Sequence, residues 1–433
     1  MIRTFGLIVF LVLCITISPV FAEDINPITL DKSIEIALEK NLAVYSAREG
    51  IKAAEFNKKS AFSDFLPKLS TTYSYTRLNE EPSFSIGGSR YSMGTQDNYD
   101  LSLTLEQPVY MGGALINTYD RAKIRIRIAR INELQAKQDI VLEVKEAYFG
   151  ILKAEKIMEV EEQAVTQIKS QVRRAKEFYN AEVIPKNDLL QAEVQLAQAR
   201  QDLIRADNGV NIAKSLFNTI LRQGINERVE VKDILTHDPM TWKLEDSIAI
   251  AYQERPELKE MDMLIEDAEK VIDLTRSKFY PIVSLAGSYL KEGEKAMVDE
   301  DESWNIVALA QWTFWEWGKT CHQVDESKTW LVRARYAKAQ MKDMVTLEVK
   351  KAYLYIQDSE KNIVVAEKAI EQAEENFRIN EERYKEQIAT STEVLDAQTL
   401  LTQARTNYYN ALNVYNIAKA KLERAMGVIY LKD

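Results

Sequence analysis

The chain is written twice, and this limits its fold more than any other feature. LDKSIEIALEKN, beginning at Leu30, returns as LEDSIAIAYQER, beginning at Leu244, and Pro67 returns as Pro281 at the same spacing. EVKEAYFGI from Glu143 returns as EVKKAYLYI from Glu348, and NDLLQAEVQLAQAR from Asn187 as TEVLDAQTLLTQAR from Thr392. Self-similarity on this scale means one structural unit used two times, and it must be read before any single element. The later matches lie closer together than the earlier ones, so the first copy carries a longer insertion between Pro67 and Pro108. Residues 23–230 form the first unit and 231–433 the second, joined near VEVKDILTHDPMTWK, where Pro239 interrupts the helical pattern.

Each copy switches from helical to strand periodicity at its proline. After Pro67, Leu69, Thr71, Tyr73 and Tyr75 alternate with Ser70, Thr72, Ser74 and Thr76. That is the period of a half-exposed strand. Strands are expected at about 68–78, 98–109, 281–291 and 303–314, each pair separated by a polar loop. In the second strand Leu101, Leu103 and Leu105 oppose Ser102, Thr104 and Glu106; in the fourth, Val307 and Leu309 weaken the alternation.

The rest is long helix. Lys319 to Met426 contains neither Gly nor Pro, and Ala114 to Gln223 is interrupted only at Pro185 among prolines. Val141, Val144, Tyr148 and Ile151, like Val349, Tyr353 and Ile356, step by three and four as in a coiled-coil seam. Roughly 65 residues of helix reach roughly 100 Å. Each copy therefore reads as short helix, strand hairpin and a rod made of two long helices joined by a turn.

The N-terminus supplies the compartment. Arg3, the apolar run Phe5 to Ile17 and SPVFA ending at Ala22 have the layout of a secretory signal peptide over residues 1–22. No small residue precedes Cys14, so no lipid anchor is expected there. No other run is apolar enough for a membrane helix, so an exported chain that meets a membrane does so with strands. Cys321 is then the only mature cysteine, which leaves no disulfide framework, and a net charge of −10 argues against a nucleic-acid partner.

Four strands with an apolar face leave unpaired edges in water, and in a membrane the sheet must close. A closed barrel takes at least about eight strands, so copies must combine. Tyr73, Tyr75, Tyr99, Tyr110, Trp304, Trp312, Trp315 and Trp317 cluster at the strands and their ends, as aromatic rings do at membrane interfaces. A water-soluble β-layer with an aromatic core is the alternative on periodicity alone.

In order and in duplicate over the whole mature chain, the sequence resembles the TolC family of outer-membrane efflux proteins. TLDKSIEIALEKN is similar to the family's opening helix and FLPKLSTTYSY to its first strand; QPVYMGG and WTFWEWGK fall at its strand-to-helix junctions, and TEVLDAQ at its periplasmic turn. The second junction departs from the pattern, with Thr313 for the usual proline and Trp317 for the first glycine. The resemblance implies a homotrimer with a twelve-stranded β-barrel in the outer membrane and an α-helical barrel crossing the periplasm. It also implies a passive exit duct docked to a periplasmic adaptor and an inner-membrane transporter, in an efflux pump or a type I secretion system.

A duct performs no bond chemistry, so the candidate sites are a gate and a docking tip. In KEQIATSTEVLDAQ, Thr392 or Ser391 is a plausible helix N-cap and Glu393 falls in the first turn. Glu393 and Asp396, three apart, share one helix face, and a ring of such acids would attract cations. Both positions match the family's acidic constriction, and Tyr384 is expected to narrow the same mouth. The plainer alternative is that Glu393 only caps the helix while Asp396 is solvated. The sister turn, Val183, Ile184, Pro185, Lys186, Asn187 and Asp188, is the candidate adaptor-docking tip or else a plain helical connection.

Cys321 and His322 do not make a metal site, because two adjacent residues supply no tetrahedral set and His237 is remote. No nucleophile motif or phosphate-binding loop is present in the sequence, so neither a cofactor nor an enzyme activity is expected. The competing classes are a periplasmic coiled-coil scaffold without a pore and an exported enzyme on a helical frame.

Overall fold

The computed structural model describes residues 27–296 and 301–430; the expected signal peptide lies outside them. The first copy runs α1 (Leu30–Lys40), α2 (Leu42–Ser63), β1 (Lys68–Arg77), β2 (Ser83–Ile86), β3 (Ser89–Ser92), β4 (Asp97–Met111), α3 (Ala114–Asn180) and α4 (Lys186–Ile220). The second runs α5 (Leu244–Glu254), α6 (Pro256–Arg276), β5 (Ile282–Gly293), β6 (Asp301–Gln311), α7 (Lys319–Lys385) and α8 (Ser391–Met426). A single 3-10 turn, Ser277–Phe279, precedes β5.

The extra hairpin β2–β3 lies in what its Gly- and Ser-rich composition suggested was plain loop. Gly87 and Gly88, at φ of 64° and 90°, make a turn that needs two left-handed residues, and Phe84 stacks on Tyr91 across it at 5.5 Å. Strand β6 stops at Gln311, short of the expected end near 314, and Trp312 instead donates its indole N–H to the Phe279 carbonyl at 3.0 Å.

The four long strands form one antiparallel sheet in the order β1-β4-β5-β6. Leu69 lies opposite Leu105 in the first hairpin, and the corresponding Val283 lies opposite Ala310 in the second, so both copies fold with one register. Between the hairpins, β4 pairs with β5, Leu103 opposite Tyr289, with an irregularity between Pro108 and Tyr110. Strands β1 and β6 each keep one edge unpaired among the described residues.

The backbone repeats as closely as the sheet. Gly112 and Gly113 leave β4 at φ of 61° and 86°; Trp317 and Gly318 lead into α7 at 54° and 82°. The sequence departure at Trp317 therefore changes the side chain and not the turn. A Cβ on Gly112 would sit 2.3 Å from the Ser277 carbonyl oxygen, so glycine is obligatory in the first copy. Glu182 and Gln387, both at φ 58°, end α3 and α7 in the same way.

α3 and α7 have 67 residues each, which makes rods of roughly 100 Å. Their core lies midway, where the short helices, the linker after α4 and the last turns of α8 pack around Val144, Tyr148, Ile151, Phe217, Val349, Ile356 and Leu422. Tyr148 is fully buried and donates to a carbonyl oxygen, within reach of both Ile28 at 3.0 Å and Lys232 at 2.7 Å. It thereby ties the chain entry to the joint between copies. Burial pushes its phenol up to about 12.

Candidate functional site

The sheet has two chemically different faces. Leu69, Thr71, Tyr73 and Tyr75 of β1 stand beside Leu105, Leu103, Leu101 and Tyr99 of β4. The same face continues through Leu285, Gly287 and Tyr289 to Ala308, Ile306 and Trp304. Its middle is largely apolar, with Thr71 the exception and the Lys291–Glu302 pair at its loop end, and its large residues are exposed: Leu69 by 68 %, Ile306 by 68 % and Trp304 by 75 %. On the other face Ser74 donates to Asp100 at 3.1 Å, Thr104 pairs with Ser288 at 3.3 Å, and Ser70, Thr72, Ser102 and Glu106 complete a polar stripe over the first hairpin. Ala286, Leu290, Val307 and Leu309 make the second hairpin's share of this face more apolar. A barrel with lipid outside and water inside requires this division, whereas a water-soluble layer would cover its apolar face. No described helix is long and apolar enough to cross a membrane.

At the junction of β6 with α7, Trp312, Phe314, Trp315 and Trp317 are exposed by 59 %, 79 %, 66 % and 86 %. β4 meets α3 with Tyr110 alone in the corresponding stretch. Rings with an apolar body and a polar N–H suit the boundary between lipid and water.

The far ends of the rods hold the candidate gate and docking tip. The N-cap of α8 is Thr390, before both expected positions, because Thr390 and Glu393 complete a reciprocal capping box. Glu393 accepts from the Thr390 backbone N–H at 3.2 Å and pairs with Arg383 at 3.4 Å, while Asp396 is exposed. The two acids do share one side of the first turns of α8, with different surroundings. Tyr384 lies inside the tip. It is 2 % exposed, its ring packs 5.4 Å from Phe178 of α3, and burial pushes its phenol up, against the opposing effect of Ser391. In the single chain the ring is inserted between the two rods.

At the sister tip, Val183, Pro185, Lys186 and Asn187 are exposed and Asp188 is half-buried. Ile184 instead turns inward and packs on the cluster of Ile168, Ala175, Leu189, Ala192, Ala199 and Leu395. Leu395 belongs to α8, so the two tips share one small core. Thr392 donates to Gln191 at 3.0 Å, and Arg174 pairs with Glu381 at 2.8 Å. Sequence periodicity missed this link, because pairs across two rods carry no local signal.

A long helical rod under an open, two-faced sheet is the protomer architecture of outer-membrane channels that extend into the periplasm. Residues 33–216 and 248–428 both match the outer membrane efflux protein family, and the chain belongs to that family. Nodulation protein T of Rhizobium leguminosarum bv. trifolii is 20 % identical over 412 residues, covering 94 % of this chain and 86 % of that protein. The fold is that of the Campylobacter jejuni CmeC outer membrane channel, with a TM-score of 0.77 at 17 % identity over 93 % of this chain and 86 % of that one. The outer membrane protein VceC of Vibrio cholerae gives a TM-score of 0.75 at 17 % identity, covering 92 % of this chain and 96 % of that one. The family is one of channels and not of enzymes, and its place is the outer membrane with a periplasmic extension.

Proposed function

We propose that three copies close one twelve-stranded barrel, and that this trimer is the passive exit duct of a tripartite efflux pump or a type I secretion system. One observation carries the reading: a four-stranded sheet with free edges, a largely apolar, exposed outer face and an inner face that is polar across the first hairpin stands on rods of roughly 100 Å. Four strands enclose nothing, whereas twelve enclose a water-filled lumen. Residues 23–230 and 231–433 are then two repeats, each contributing one hairpin to the barrel and one rod to the periplasmic tube. The exposed tip at Val183, Pro185, Lys186 and Asn187 is the docking point for a periplasmic adaptor, which links the duct to an inner-membrane transporter.

The acids at the start of α8 narrow the tube mouth and favour cations. Asp396, exposed, contributes more than Glu393, which the cap and Arg383 already engage. Conductance of the purified protein in a planar lipid bilayer tests both parts. Discrete steps with cation preference are expected, and Asp396→Asn together with Glu393→Gln reduces that preference. Absence of steps in wild type and double variant alike overturns the duct, and unchanged selectivity overturns the gate alone.

A further inference from the structure

The duplication lets the seam between copies be written residue by residue. In the chain, the first hairpin meets the second through β4 and β5, and both hairpins have the same internal register. In a closed ring the second hairpin meets the first hairpin of the next copy, through β6 and β1. These are the strands whose edges are free, and almost all of their residues are exposed. We infer that β6 joins β1 of the next copy in the register that β4 already adopts with β5, so that Ala308 lies opposite Tyr75 and Ala310 opposite Tyr73. This rests on the reading that copies close one barrel.

The rule follows from correspondence of positions. Leu103 lies opposite Tyr289 within the chain. Ala308 holds the place of Leu103 in the second copy, and Tyr75 that of Tyr289 in the first. Two checks not used in the derivation agree. Ala308 and Tyr75 both belong to the apolar face, and a slip by one residue would set Trp304, Ile306 and Ala308 of β6 against the polar set Ser70, Thr72, Ser74 and Thr76 of β1. The pairs also match small with large, since two alanines meet two tyrosines.

The rods repeat the pattern. Gln195 of α4 donates to Thr399 of α8 at 3.4 Å. Carried one step round the ring, the same contact sets Leu400 of one copy beside Val194 of the next. Leu400 is 58 % and Val194 69 % exposed, two large apolar groups for which the single chain offers no cover. Leu190, 47 % exposed, likewise corresponds to Leu395, which is 5 % exposed in the tip core. The occupant of these faces is therefore a second copy of the chain.

Paired cysteines test the register in a Cys321→Ser background, which removes the exposed native thiol. Directly opposed residues hold their Cβ atoms about 5 Å apart, against about 7–8 Å on the diagonal, and disulfides discriminate between the two. Ala308→Cys with Tyr75→Cys, and the adjacent Val307→Cys with Thr76→Cys, sample both kinds of antiparallel pair. Oxidation is expected to give covalent dimers and trimers on denaturing gels for at least one of them. It is expected to give none for Ala308→Cys with Tyr73→Cys or with Arg77→Cys. Val194→Cys with Leu400→Cys tests the rods outside the membrane, and is expected to cross-link even if a barrel variant does not assemble.

Cross-linking at a shifted pair, or at none in a protein that sizes as an oligomer in detergent, overturns the register and leaves the duct standing. A wild-type protein that sizes as a monomer in detergent overturns the duct and the register together.

Discussion

Asn41 and Arg255 stand at the same break between the two short helices of their copies, and they solve it differently. Asn41 ends α1 and caps α2 locally, its side chain accepting from the Ala43 backbone N–H at 2.8 Å. Arg255 ends α5 and reaches across the fold. It is 5 % exposed, pairs with Glu257 and Glu348 at 2.8 Å each, and donates to the Ala425 carbonyl at 3.1 Å near the end of α8. Arg424 adds pairs to Glu257 at 3.0 Å and Asp139 at 2.8 Å. A local cap therefore suffices where the chain passes on to further packing, while the second copy must also hold down the last helix. Gly427 belongs to the same clamp: at φ 80° a Cβ there would meet the Glu254 carbonyl carbon at 2.9 Å. Its counterpart Arg222 adopts φ 58° as an ordinary residue.

Removing one partner of a buried ion cluster strands the others. Arg255→Met is expected to cost about 3–5 kcal/mol, against about 1 kcal/mol for Asn41→Ala at the matching site. Thermal unfolding of both variants in detergent checks this, and equal losses would break the comparison. Gly427→Ala is expected to cost about 3 kcal/mol through strain and backbone contact, whereas Arg222→Gly gains about 1 kcal/mol by relieving a left-handed residue. Their melting temperatures should move in opposite directions.

Acid sharpens the same contrast. Burial by itself would raise the Glu257 carboxyl, but Arg255 and Arg424 hold it below its ordinary 4.5. A carboxylate held low in the folded state adds stability above its ordinary value and loses it as pH falls through the native value. The stability gap between wild type and Glu257→Gln should therefore close as pH drops below 4.5. Urea midpoints at a series of pH values measure it, and a constant gap would count against the clamp. The tips repeat the contrast on a small scale: Thr390→Ala should cost about 1 kcal/mol through the lost capping box, while Pro185→Ala, with no side-chain cap to lose, costs less.

The long helices, the four main strands and the duplication were legible because each is a local period in the sequence. So was the place of Glu393 and Asp396 at the start of α8 and of Val183 and Lys186 at the sister turn. Hairpin β2–β3 was not, because its Gly and Ser content looks the same in a loop and in a tight turn flanked by short strands. The burial of Tyr384 was not legible for a related reason. Its position two turns before the tip is local, but its burial depends on Phe178 more than two hundred residues away.

Local pattern along the chain is enough to show two copies of one unit, a strand hairpin and a rod in each, and four strands too few to stand alone. Periodicity and strand counting need only neighbours along the chain. The tertiary structure decided which side chains cross between rods, which helix end Arg255 holds, and that Trp317 takes the turn of a glycine. Those depend on distances between segments that the local pattern does not encode.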